Sequence, residues 1–248
     1  MNAPDWLVAR PIAHRGLHEP AAGIIENTPS AIDAAIAGGY AIEVDLQPTA
    51  DGEAMVFHDD ELERLTTAHG PVKARTAREL AALDFRATAD RMMSLPDLLL
   101  RVAGRVPLVI ELKSLYDGDA RVAERACDVL ASYAGPAALM SFDPDLVAAV
   151  RRLAPRIPRG ITMERRYDDP EWHGLSAATK FIWGNLLHFP RTQPDFVAHY
   201  VKELPAPAAT LARRQLGRPL LTWTVRTEED RAIARAQADQ MIFEGFRP

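Results

Sequence analysis

Short apolar runs alternate with amphipathic stretches along the whole of the 248-residue chain. Eight runs read as strands: Pro11–His14, Ala41–Leu46, Leu108–Leu112, Ala138–Phe142, Arg159–Met163, Lys180–Gly184, Pro219–Val225 and Gln240–Phe243. Several are almost continuously apolar, the pattern of strands covered on both faces in a parallel sheet. Helix punctuation falls between them. Thr28-Pro29 opens one helix and Gly38-Gly39 closes it. Ser94-Leu95-Pro96-Asp97 opens another, with the acid three places after the cap. Glu228 to Ala238 forms an alanine-rich third, and Val122 to Leu130 has a helical period that makes Cys127 a small buried apolar group. Asp51-Gly52 predicts a turn before a short strand, Ala54–Phe57. From Leu186 to Pro207, prolines interrupt the chain without a clear period, and the stretch reads as loop.

Eight strands in mostly βα alternation predict an α/β fold, a (β/α)8 TIM barrel, occupying residues 1–248 as one domain. A doubly wound open sheet is the alternative, but its G-x-G-x-x-G fingerprint is missing after the first strand. His14-Arg15-Gly16 stands there instead.

Composition narrows the partners. With 48% hydrophobic and 25% charged residues the chain is ordinarily globular. Its 29 Lys+Arg against 34 Asp+Glu give a net charge of −5, the wrong sign for a nucleic-acid or anionic-membrane protein. The single cysteine excludes an internal disulfide and a multi-cysteine zinc site. The first residues carry no basic-then-apolar leader, and no run of about 18 apolar residues occurs, so a cytoplasmic protein without a membrane span is expected.

Candidate chemistry collects at strand ends. Glu43 and Asp45 are two apart in Ala41–Leu46 and share one face. Paired carboxylates repel unless something offsets them, and a divalent cation is the simplest offset. Solvent-facing acids at a sheet edge are the plainer reading. Glu111 and Lys113 repeat the device at the end of Leu108–Leu112, where a structural ion pair is the alternative. His14 closes the first strand and His58 follows Met55-Val56-Phe57; both suit proton transfer near neutral pH. Three carboxylates fit hard Mg²⁺ or Ca²⁺ better than zinc. Adding Arg15 and Lys113 leaves a pocket that accepts a phosphodiester anion. His18, His69, His173, His188 and His199 lack metal spacing and read as surface or loop groups, with His18 close enough in sequence to approach the site.

His14-Arg15-Gly16, Glu26-Asn27-Thr28, Glu43-Val44-Asp45-Leu46-Gln47-Pro48-Thr49-Ala50-Asp51-Gly52, His58-Asp59 and Glu111-Leu112-Lys113 together closely resemble the glycerophosphodiester phosphodiesterase family. Ser141-Phe142 and Trp223-Thr224-Val225 extend the resemblance along the chain. It implies a TIM barrel with a small insertion after the second strand, between Gln47 and Val106. It implies metal-dependent hydrolysis of a glycerophosphodiester to glycerol 3-phosphate and an alcohol. By position, Glu43, Asp45 and Glu111 resemble the metal ligands, and His14 and His58 the acid and base. Arg15 and Lys113 resemble phosphate-holding residues, Asn27 a site-supporting residue, and Trp223 the aromatic of the glycerol pocket. Asn27 or Thr28 as a helix cap, and Trp223 as a core aromatic, are the plainer readings. Asp59 or Asp60 beside His58 favours it as the acid.

The chain departs from the family at Ile25, where a proline is usual, at Arg226, where asparagine is common, and at Phe243-Glu244-Gly245-Phe246-Arg247-Pro248, where Thr-Asp-x-Pro is common. A zinc amidohydrolase would need His-x-His on the first strand, which is absent. A non-catalytic or divergent barrel binding phosphorylated metabolites is the remaining alternative.

Overall fold

The structure, a computed structural model, describes residues 3–169 and 172–248. The strands are β1 (Ile12–Ala13), β2 (Ala41–Pro48), β3 (Ala54–Val56), β4 (Leu108–Leu112), β5 (Ala137–Ser141), β6 (Arg159–Met163), β7 (Phe196–Tyr200), β8 (Leu220–Val225) and β9 (Gln240–Phe243). All but β3 are parallel, and β1 pairs with both β2 and β9, closing an eight-stranded barrel and excluding the open sheet. The helices are α1 (Pro29–Ala37), α2 (Ala77–Ala81), α3 (Leu95–Val102), α4 (Arg121–Leu130), α5 (Pro144–Leu153), α6 (Ala177–Gly184), α7 (Phe189–Thr192), α8 (Pro207–Arg214) and α9 (Glu228–Gln237).

Burial explains why the strands read as unbroken apolar runs. One set of side chains, including Val109, Met140, Phe196, Leu221 and Ile242, fills the barrel, with Leu7 among them. The other set, including Val44, Leu46, Ile110 and Leu139, meets the helices outside. Gly160 on β6 is obligatory for this filling, because a Cβ there would lie 2.2 Å from the Phe196 ring. The helix starts follow the local signals: Ser94 with Asp97 and Thr227 with Asp230 form capping boxes. Cys127 is buried on α4, and burial pushes its thiol up to about 11.

After β2 the chain turns and pairs back as β3, antiparallel, with Leu46 opposite Val56. Met55, Phe57, Leu62, Val72, Leu80, Phe85 and Met92 then form a small separate core. This is the insertion expected between Gln47 and Val106. α3, which falls inside that range, packs with α1 and α4 as a barrel helix.

One strand assignment is corrected. Lys180–Gly184 belongs to helix α6, whose cap Ser176 accepts from the Thr179 N–H. Its apolar residues are not interior: Phe181 is 63% and Ile182 41% exposed. A short apolar run does not by itself distinguish strand from helix. The missing barrel strand is β7, inside the stretch read as loop. Nearby prolines and the central His199 obscured its pattern, yet His199 is fully buried and its Nδ1 lies 3.0 Å from the Tyr200 carbonyl oxygen.

His188 is likewise interior rather than a loop group, with Nδ1 3.1 Å from Thr192 Oγ1. Burial, with the charge of Arg191 adding to it, pushes its pKa from 6.5 down to about 4. The unfolded chain therefore takes up this proton at higher pH than the folded one. The stability it contributes is complete above pH 6.5 and lost as pH falls towards 4, on the order of 2 to 3 kcal/mol for this group. Urea unfolding at pH 7 and pH 4.5 should show His188→Gln losing less stability on acidification than the wild type. Equal losses would assign the acid sensitivity to other groups.

Candidate active site

The C-terminal end of the barrel collects the charged residues, where the loops of such barrels build their sites. Parallel register puts Asp45 of β2 beside Glu111 of β4, with Glu43 one pleat below Asp45 on the same face. Glu43, Asp45 and Glu111 are all buried, and their ligating oxygens lie within 4.8 Å of one another. Burial and the neighbouring Asp45 and Glu111 charges push the Glu43 carboxyl well above its ordinary range. Burial would raise Asp45 too, but His58, Lys113 and Arg15 hold it well below the usual carboxylate range. Three carboxylates against the Arg15 and Lys113 cations leave negative charge that a divalent ion relieves, and their oxygen donors fit a hard cation. The group can hold a metal.

The loop after β1 wraps this cluster. Arg15 and Asn27 both adopt left-handed backbone conformations, with φ of 53° and 58°, which cost energy in residues bearing a Cβ. The turn aims the Arg15 N–H at Glu43 Oε2, 3.0 Å away. Gly16 makes it feasible: its φ is 78°, and a Cβ there would lie 2.9 Å from Ala31 of α1. The Arg15 side chain donates from Nη1 to Glu26 Oε1 at 2.7 Å and keeps Nε 3.4 Å from Asp45 Oδ2.

Asn27 is not a helix cap. It donates from Nδ2 to Asp45 Oδ2 at 2.9 Å and accepts from the Asp45 N–H at 3.4 Å. Thr28 makes no side-chain cap either; its hydroxyl donates to the Ile25 carbonyl. Lys113 sits 2.8 Å from Glu111 Oε1 and 3.5 Å from Asp45 Oδ1. Lys113 and Glu111 thus form an ion pair, and the pair lines the same cavity as the carboxylate cluster.

The two histidines approach from different elements. His14, at the end of β1, gives its Nδ1 to a 2.5 Å contact with Glu244 Oε2 and directs Nε2 to 4.0 Å from Glu43 Oε2. Burial, with a smaller push from Arg15, lowers its pKa to about 4 against the pull of Glu244. His58 arrives on the insertion. Gln47 of β2 holds the His58 carbonyl oxygen at 3.0 Å, and Asp59 Oδ1 lies 2.8 Å from His58 Nδ1. Asp59 is clamped in turn by Arg64, which also bonds Glu26 and so ties the His58 segment to the Arg15 loop.

A cavity of about 220 Å³ brings together His14, Arg15, Glu43, Asp45, His58, Glu111, Lys113 and Trp223, all the expected site residues except Asn27, which stands behind Asp45. Trp223 packs against Phe142 and Tyr200, so it is both a wall of the cavity and a partner of the barrel core. A larger cleft of about 650 Å³ adjoins it, sharing His58, Glu111, Lys113 and Phe142 and continuing to Tyr116 and Trp172. Thr162, Tyr200, Arg226 and Glu244 were not anticipated as site residues. Glu244 directly follows the last strand, a position at the functional face of any such barrel, and that signal was available. Tyr200 ends β7, whose strand pattern the flanking prolines mask in the sequence.

A closed parallel barrel with carboxylates, imidazoles and cations converging at its C-terminal mouth defines an enzyme-type site for an anionic ligand. Residues 14–244 match the glycerophosphoryl diester phosphodiesterase family, and the chain belongs to it. It is 33% identical over 159 residues to YhdW of Bacillus subtilis (strain 168), covering 60% of this chain and 64% of that protein. Over 175 residues it is 30% identical to the glycerophosphodiester phosphodiesterase of Caldanaerobacter subterraneus subsp. tengcongensis, covering 65% of this chain and 69% of that one. The fold is also that of an Oleispira antarctica phosphodiesterase solved with its product sn-glycerol-3-phosphate. That match has a TM-score of 0.76 and 20% identity, over 94% of this chain and 91% of the other.

Proposed function

We propose that this chain is a metal-dependent glycerophosphodiester phosphodiesterase, acting as one catalytic domain over residues 1–248 and releasing glycerol 3-phosphate and an alcohol. The convergence of Glu43, Asp45 and Glu111 between two histidines carries the reading. Family membership supports the substrate class. Glu43, Asp45 and Glu111 would hold the cation, Mg²⁺ or Ca²⁺, which when bound lowers the pKa of a coordinated hydroxyl and neutralises phosphate charge. Arg15 and Lys113 bind the phosphate oxygens. Both cations are already aligned by carboxylates, so little freedom is lost when the anion arrives. Asn27 fixes Asp45, and Trp223 forms the apolar wall for the glycerol carbons.

His58 is assigned as the acid and His14 as the base, from placement. His58 borders both the inner cavity and the larger cleft, the side with room for a departing alcohol. Asp59 at its Nδ1 leaves Nε2 to deliver the proton. His14 lines the inner cavity and not the larger cleft, and its Nδ1 contact with Glu244 leaves Nε2 turned towards the carboxylates. Glu244 thus acts on His14 as Asp59 acts on His58. No helix among the described residues is long and apolar enough to cross a membrane.

Metal removal tests the reading most directly. Exhaustive chelation with EDTA should abolish release of glycerol 3-phosphate from a glycerophosphodiester panel, and Mg²⁺ or Ca²⁺ should restore it. Full turnover with verified absence of metal would refute it. Phosphorylated monoesters that bind without any turnover of diesters would favour a non-catalytic barrel.

A further inference from the structure

We propose that His14, His18 and Glu244 form a second divalent-metal site, nitrogen-rich and suited to zinc, whose filling silences the enzyme by withdrawing His14 from proton transfer. The silencing rests on the reaction proposed above; the site itself does not. One ligand atom from each of the three residues lies within 4.8 Å of the others. Glu244 Oε2 is 2.5 Å from His14 Nδ1 and 3.6 Å from His18 Nε2. Both ring nitrogens of His18 are buried: Nε2 has the long 3.6 Å contact with Glu244 and Nδ1 has no hydrogen-bond partner, an arrangement that leaves lone-pair and proton capacity unused.

Two imidazoles and one carboxylate are the donor set of an open zinc site, whereas Glu43, Asp45 and Glu111 offer oxygen alone. The two clusters therefore differ in the ions they prefer, although His14 Nε2 and Glu43 Oε2 are only 4.0 Å apart. A cavity of about 330 Å³, lined by His18, Glu19, Glu244 and Arg247, gives an ion a route to His18 and Glu244 that does not cross the inner cavity. Arg226 Nε donates to Glu244 Oε1 at 2.5 Å, which leaves Oε2 turned to the imidazoles. Arg226 and Glu244, the two late departures from the family pattern, are thus in contact. The Arg226 and Arg15 charges nearby oppose a cation and keep its binding reversible. Binding at His14 Nδ1 moves the single ring proton of the neutral imidazole from Nδ1 to Nε2 through solvent, so Nδ1 gives its lone pair to the metal and Nε2, now protonated, has no lone pair left to act as a base.

Zn²⁺ titrated calorimetrically into the full chain in excess Mg²⁺ should bind one site. His18→Asn and Glu244→Gln should each weaken it by at least about tenfold. Co²⁺ added to the unmodified protein under the same conditions should give the visible absorption of a nitrogen-ligated ion, a readout that needs no variant to fold. Zinc should inhibit the wild type, while His18→Asn keeps basal turnover and requires at least about ten times more zinc for half-inhibition. Unchanged zinc affinity in both variants, a cobalt spectrum of oxygen ligation alone, or equal zinc sensitivity of His18→Asn would overturn the proposal. A protein that binds zinc in this way but cleaves no diester would overturn the reaction and leave the site standing.

Discussion

Replacing either His14 or His58 by alanine should lower turnover of a natural diester by roughly 10²- to 10⁴-fold, the range of positioned proton transfer. The two imidazoles flank one cavity, His14 from β1 and His58 from the insertion, and each is oriented by its own carboxylate. Acting on one path, they form a unit, so the double variant should fall little below the poorer single one. A nitrophenyl ester, whose leaving group needs no proton, separates the roles. It should rescue His58→Ala and leave His14→Ala impaired. Rescue of His14→Ala alone would exchange the assignments. Near-normal turnover of both variants on a natural diester would make the histidines structural.

Glu43→Gln should cost at least about a hundredfold in activity, on the scale of lost electrostatic stabilisation of the transition state. The metal-free protein should nevertheless keep its melting temperature or gain slightly. Burial and the facing Asp45 and Glu111 raise the Glu43 pKa in the folded state, so its ionised form opposes folding at neutral pH. Glutamine removes that charge and can still accept from the Arg15 N–H. Differential scanning calorimetry in EDTA checks the second half. A large drop in the melting temperature would identify Glu43 as a structural residue.

The contrast between these variants and His188→Gln separates function from folding. His188 lies outside the catalytic cavity, and its substitution should alter acid stability without changing turnover at neutral pH. The three carboxylates show the reverse pattern, since their mutual repulsion is tolerated by the fold and used by the site.

Local chemistry was enough to determine much of this protein. Period-two alternation put Glu43 and Asp45 on one face, capping boxes located α3 and α9, an N-terminal proline located α1, and eight βα units implied the barrel. The carboxylate, histidine and cation positions were legible because each sits at the end of an apolar strand, where a charge has few structural reasons to be. Tertiary structure decided the rest. Phe196–Tyr200 is a strand because its flanking strands supply both ladders, and Lys180–Gly184 is a helix because its apolar side chains find no interior to enter. Asn27 serves Asp45 rather than the helix start, and Glu244 reaches His14 across 230 residues. His14 and Glu244 come together only when the barrel closes β9 onto β1. Propensity and spacing act over a few residues, whereas the pairing of a carboxylate with an imidazole depends on where the closed sheet carries their strand ends.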